Sequence, residues 1–198
     1  MRKPSSTADG ILACARSLIS SGGYNGFSYA DIAGVVGIGK AGIHHYFPNK
    51  VDLVRTLVRR YHEETQASFA KLEQSIDGPL DQLRAYVDAW KNAIGDKSAP
   101  FCVCAVLASE VPVLPDEVAI EIDHYFRFLA GWLTAVMARG VVQGAITLAW
   151  SPQVEAEAFM ALVHGAMLSA RAYGDPATFG LIMEPALTRL APAQLPFS

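Results

Sequence analysis

The side chains with the greatest chemical reach crowd the amino-terminal end. Arg2, Lys3, Arg16, Lys40, Lys50, Arg55, Arg59 and Arg60 fall within the first sixty positions against only Asp9, Asp31 and Asp52, a local net charge of +5. The remaining positions carry eight basic and sixteen acidic side chains, so the overall charge of −3 conceals a basic head on an acidic body. Clustered cations attract phosphates and release their counterions, while an acidic remainder repels them. The charge pattern points to nucleic acid gripped at one end. An adaptor whose basic head binds an acidic protein is the competing reading, and a steep salt dependence on duplex DNA would separate the two.

Other reactive groupings are weaker. Cys104, Asp123 and either His124 or His164 comprise a nucleophile, an orienting acid and a base, but no local signature places them together, and catalysis would leave the basic head unexplained. Cys102 and Cys104 would diverge by about 200° on a helix, a poor geometry for an internal disulfide. Oxidant sensing by either is the functional alternative to their being small core hydrophobes. With Cys14 they total three cysteines without framework spacing, which suits a reducing compartment. The adjacent His44 and His45 point about 100° apart on a helix and do not form a metal pair. The expectation is a non-enzyme with no metal and no cofactor.

The elements that must carry these residues are helices throughout. At 198 residues, 52% hydrophobic and 18% charged, the chain suits one or two globular domains with a sizeable core. No apolar run approaches the roughly 20 residues of a membrane span. Met1-Arg2-Lys3-Pro4 leads into polar residues instead of a signal sequence, so a cytoplasmic protein without membrane contact is expected. Helical periodicity starts after the caps Ser5-Ser6-Thr7 and stops at Gly22-Gly23. Short helices follow from Ser28 to Val36 and from Lys40 to Phe47, and Pro48-Asn49-Lys50 opens a long one towards Ile76. Leu80 to Ile94 gives the next. Phe101 to Glu110 suits a buried helix or a strand, and is read as helix because no segment offers a strand partner. Val118 to Gly140, 152–173 and 177–190 complete an all-α chain of about nine helices.

Within it, SYADIAGVVGIGKAGIHHYFPNK has the grammar of a helix-turn-helix. Ser28 to Val36 supplies the supporting helix, Gly37-Ile38-Gly39 the turn, and Lys40 to Phe47 the recognition helix. Ile32, Val36, Ile38, Ile43 and Phe47 supply apolar contacts to hold the pair against the first helix. Gly39 and Gly42 cost helix propensity and predict a recognition helix partly frayed without DNA.

These residues resemble the tetracycline-repressor (TetR-like) family of bacterial regulators. The shared pattern covers roughly residues 8–60: Ile11-Leu12, Gly23-Tyr24, Ser28, Asp31-Ile32-Ala33, Gly37-Ile38, Lys40, Tyr46-Phe47, Asn49-Lys50 and Leu53. The resemblance implies an N-terminal helix-turn-helix domain over 1–50 and a helical ligand-binding and dimerisation domain over 51–198. It implies base or phosphate contact by Lys40, Ala41, Gly42, His44, His45 and Tyr46, with Ser28, Tyr29 and Lys50 on backbone phosphate. His45 also suits surface or packing roles. The chain departs from the family pattern in its two glycines, in His44 where tyrosine is usual, and in lacking an arginine just before Ile11.

Short recognition helices contact few bases, so a dimer on a pseudo-palindromic double-stranded operator is expected. The last two helices offer small and apolar residues for it: Ala158, Ala161, Leu162, Gly165, Ala166, Ser169, Phe179, Ile182, Met183, Ala186 and Leu187. Tyr86, Trp90, Phe101, Cys102, Val106, Phe126 and His164 are the candidates for a mostly apolar site taking a small-molecule inducer. The functional expectation is a ligand-responsive repressor, released from its operator by that molecule.

Overall fold

In a computed structural model, residues 7–97 and 101–192 are described. The expectations for Arg2, Lys3 and the caps Ser5 and Ser6 lie outside the described residues. Within them are nine α-helices and no strand: α1 (Thr7–Gly22), α2 (Tyr29–Val36), α3 (Lys40–Tyr46), α4 (Lys50–Ser75), α5 (Pro79–Gly95), α6 (Val103–Ala108), α7 (Asp116–Val142), α8 (Pro152–Tyr173) and α9 (Ala177–Leu190).

The chain divides into two compact units, one of residues 1–65 and 102–125, the other of 66–101 and 126–198. The long helices α4 and α7 each give their residues to both. This division differs from a boundary at residue 50: the first unit takes in α6 and the start of α7. By sequence it holds eight basic and ten acidic side chains, so the basic head carries its own compensating acids.

In the first unit, Ile11, Leu12, Ala15 and Ile19 bury one stripe of α1, and Ile32, Ile43, Phe47, Leu53 and Val54 join them. Val36 and Ile38 are only half-buried. Gly37 closes α2 with φ 76°, a left-handed conformation that costs glycine little, and its N–H donates to the Ala33 carbonyl at 3.0 Å. The recognition segment is a continuous helix over Lys40–Tyr46 despite its glycines. Burial of Ile43 and Phe47 offsets the propensity cost.

In the second unit, α9 packs on α5 and α8. Phe179, Met183 and Ala186 of α9 and Met160, Val163, Ala166 and Met167 of α8 are buried in the core with Leu83, Leu133 and Met137. Gly140 does not end α7. A Cβ there would overlap the Ile146 side chain, so this glycine lets the following loop pack back on the helix, and Gly144, φ 68°, makes the turn. The segment read as helix from Phe101 forms one only over Val103–Ala108, followed by a 3-10 turn at Val111–Val113 around Pro112.

Candidate nucleic-acid interface

Ile43 and Phe47 turn inward, and the rest of α3 is left to face solvent: Lys40, Ala41, His44, His45 and Tyr46 are exposed and Gly42 is partly so. Lys40 has no ion pair within 4 Å among the described residues and attracts Asp31 only at longer range. His44 is steered by two contacts. Its Nδ1 lies 3.0 Å from the Pro48 carbonyl, which can only accept, so Nδ1 carries the proton and Nε2 is the acceptor of the neutral ring. Its ring lies 4.7 Å from that of Tyr29.

Three residues expected on phosphate have intramolecular partners. The Ser28 hydroxyl and Ser28 N–H both donate to Asp31 Oδ2 at 2.7 Å, and the two hydrogen bonds hold that carboxyl below its ordinary value. The Tyr29 hydroxyl donates to the Phe47 carbonyl at 2.9 Å, tying α2 to the end of α3. Burial first, then the nearby Asp52 and Tyr24, pushes its pKa up to about 12. The Lys50 ammonium is half-buried, donates to the Phe27 carbonyl at 2.6 Å, and lies 4.9 Å and 4.1 Å from the Tyr24 and Phe27 ring centroids. Burial lowers its pKa from the ordinary lysine value, with Glu110 and Asp31 opposing the fall.

The described arginines of the head are likewise paired. Arg16 meets Glu64 at 3.3 Å, Arg55 meets Asp52 at 3.2 Å, Arg59 meets Glu121 at 3.7 Å, and Arg60 meets Asp9. Chain position therefore overstates the bare positive charge, which at the recognition helix rests on Lys40.

The residues expected to sense a ligand are shared between the two units. Tyr86 belongs to an aromatic cluster in the second unit, 5.8 Å from both Phe69 and Trp132, with Phe69 stacked on Trp132 at 3.9 Å and on Phe128 at 5.9 Å. Sequence reading missed Phe69, Phe128 and Trp132, although Phe128 and Trp132 stand one turn apart on α7. The Trp132 indole N–H is buried without a hydrogen-bond partner among the described residues. Phe126 lies 5.3 Å from His164, Arg171 sits over the Phe101 ring at 5.5 Å, and Trp90 is half-buried.

Cys102 and Val106 belong to the first unit. Cys102 sulfur lies 3.7 Å from the Tyr61 hydroxyl and 3.9 Å from that of Tyr125. The two thiols converge instead of diverging, because Cys102 is the extended residue before α6 and helical angles do not apply to it; Cys104 and Cys102 are hydrogen-bonded. Burial pushes the Cys104 thiol well above its ordinary pKa, the reverse of an activated nucleophile. His124 is exposed beside Glu121 at 3.8 Å. Among the described residues no group of three or more His, Cys, Asp or Glu is placed to hold a metal, and no helix is long and apolar enough to cross a membrane.

The stripe expected at a dimer interface splits into two faces. Ala166, Phe179, Met183 and Ala186 are buried within the chain's own core, so they do not face a partner. Ala158, Ala161 and Gly165 are exposed, while Leu162, Ser169, Ile182 and Leu187 are half-buried. Val154 and Leu168 extend the exposed set along one face of α8 at spacings of four, three, four and three, and Leu181 of α9 is 75% exposed. That periodicity was the available signal for Val154 and Leu168.

Comparison with known proteins bears on these features. Residues 11–57 match the family described as bacterial regulatory proteins, tetR family, and residues 79–184 match the tetracyclin repressor-like C-terminal domain. A crystal structure of a TetR-family transcriptional regulator from Agrobacterium tumefaciens is 57% identical, with a TM-score of 0.93 over 96% of this chain and 100% of that one. The repressor NemR of Escherichia coli K12 is 23% identical over 83% of this chain and 84% of its own length. The repressor LfrR of Mycolicibacterium smegmatis is 35% identical over 60 residues, which span 30% of this chain and 31% of that protein.

Proposed function

This chain belongs to the TetR family of bacterial regulatory proteins, and from that premise we propose that it is a homodimeric repressor of transcription, released from a pseudo-palindromic operator by a small, largely apolar inducer. The observation that carries the reading is the outward face of α3. Lys40, Ala41, Gly42, His44, His45 and Tyr46 lie on a short helix anchored from behind by Ile43 and Phe47, as docking in a major groove requires. Lys40 supplies charge there, His44 Nε2 an acceptor, and Tyr46 a hydroxyl. Ser28 and Tyr29 reach phosphate by exchanging their intramolecular acceptors for a phosphate oxygen, at little net cost per hydrogen bond, while Lys50 keeps the Phe27 carbonyl and offers phosphate another of its three ammonium protons.

Two heads must reach successive major-groove turns, roughly 34–36 Å apart, so one subunit is half of the binder. The exposed row Val154, Ala158, Ala161, Gly165 and Leu168, with Leu181, supports pairing through α8 and α9. The aromatic and mildly polar groups around Tyr86, Trp90, Phe101, Phe126 and His164 favour an aromatic or lipophilic inducer, with Cys102 and Val106 as candidates in the other unit. The protein acts by binding, with no catalytic step, in the cytoplasm where its operator lies.

Selection of duplexes from a random-sequence pool tests this. The expected result is a two-fold symmetric consensus whose affinity falls steeply with salt, with Lys40→Ala and His44→Ala shifting the preferred bases. Salt-insensitive retention without a consensus sinks the proposal.

A further inference from the structure

The corner between α1 and α2 is held from outside the helix-turn-helix. After Gly22 the chain turns at Gly23, φ 75°, and the next N–H, that of Tyr24, donates to Glu110 Oε2 at 2.7 Å. The carboxylate lies so close over Gly23 that a Cβ there would overlap Oε1. A left-handed glycine is what both the turn and the approach require.

Glu110 is itself well fixed. It stands between α6 and the 3-10 turn, its N–H donating to the Leu107 carbonyl at 3.0 Å and its carbonyl accepting from Val113 at 2.9 Å. At the other end of α6 the Cys102 sulfur sits among the hydroxyls of Tyr61 and Tyr125. A short helix pinned at its start to α4 and α7 thus presents a carboxylate to the α1–α2 corner. That corner is also the seat of Lys50: the Tyr24 and Phe27 rings and the Phe27 carbonyl surround its ammonium.

We propose that Glu110 is a positioning residue for DNA docking: by accepting the Tyr24 N–H, its carboxylate holds residues 23–27 in place and so fixes the seat of Lys50 and the direction in which α2 departs. It touches no DNA itself. The inference rests on the DNA-binding function proposed above. Because Glu110 moves with α6, displacement of that helix withdraws the carboxylate and slackens the corner, which couples the two.

Glu110→Gln and Glu110→Asp separate this role from general stability or charge. The glutamine keeps an acceptor at the same reach without the charge; the aspartate keeps the charge but falls one methylene short. Affinity for a duplex selected by the wild-type chain is compared at a temperature where circular dichroism shows all three proteins folded, together with the Tyr24 amide resonance in 15N spectra.

Glu110→Asp is expected to bind about tenfold more weakly with an unchanged salt slope, since no phosphate contact is lost, and to shift the Tyr24 amide. Glu110→Gln is expected to bind within about twofold of wild type. Equal affinity of all three, equal weakening of both variants, or weakening of the glutamine variant alone overturns the positioning role. A wild-type chain that selects no duplex overturns the DNA-binding reading instead, and the positioning role with it.

Discussion

The Lys50 ammonium donates to the Phe27 carbonyl at 2.6 Å while lying 4.1 Å from the centroid of the same residue's ring. A cation proposed to meet phosphate is therefore also a clasp between the start of α4 and the α1–α2 corner. Lys50→Ala is expected to lower unfolding free energy by about 1–2 kcal/mol, the range for a partly exposed hydrogen bond with a charged donor. Urea denaturation reads this, and an unmoved midpoint would show the clasp to be worthless. In DNA binding, the same variant should lower affinity for all duplexes alike and reduce the salt slope by about one.

Gly42 lies inside α3 with room to spare: a Cβ would meet the Ile38 side chain at 3.8 Å, ordinary van der Waals distance. Gly42→Ala should therefore stabilise the head by about 0.5–1 kcal/mol through helix propensity. A lower melting temperature would mean that the helix is strained in a way the packing does not reveal.

Tyr29 makes the head sensitive to alkali. Its hydroxyl donates to the Phe47 carbonyl, and burial raises its pKa from 10 in the unfolded chain to about 12 in the fold. A raised folded value favours the neutral phenol, so its stabilisation is complete below pH 10 and fades as pH climbs through 12. Tyr29→Phe should be less stable than wild type by about 1 kcal/mol near neutrality, with the gap narrowing above pH 10. A gap that stays constant in urea titrations at pH 8 and 11.5 would remove the hydroxyl from the account.

Gly165 lies on the exposed face of α8, and a Cβ there meets nothing within 4 Å in the same chain. Gly165→Glu should leave the subunit folded, even slightly favoured by helix propensity, yet bury a charge if two copies pair on this face. Analytical ultracentrifugation is expected to find dimers of the wild type and monomers of the variant. A variant that remains dimeric places the interface elsewhere.

The Trp132 indole N–H is buried with no acceptor among the described residues. Trp132→Phe keeps a ring in the stack with Phe69 and removes the unsatisfied donor, so the cost of the smaller ring is offset by about 1–2 kcal/mol of recovered desolvation. Thermal unfolding should shift by only a few degrees; a loss typical of a large core deletion would show that the indole has a partner.

The helices and their order were legible in the residues. Gly22-Gly23, Gly37, Pro48 and Pro152 punctuate apolar periodicities that the folded chain repeats, and α2, α8 and α9 have the expected limits. These signals are local: caps, breakers and a 3.6-residue period act within a turn or two. The helix-turn-helix was legible for the same reason, since Ser28 to Lys50 is one contiguous segment. Where the local signal misled, it did so through one residue's conformation: Gly140 stays within α7 because Ile146 packs on it, and Cys102 stands outside α6, which turns its thiol towards Cys104.

Sequence alone thus determined which stretches coil, where most of them stop, and which contiguous segment forms the helix-turn-helix. Tertiary structure decided which cations stay exposed, which side of α8 is spent on the chain's own core, and that Glu110 reaches Tyr24. Each of those outcomes depends on groups far apart in the chain meeting at hydrogen-bond or van der Waals range, and periodicity within one helix holds no information about what stands opposite it.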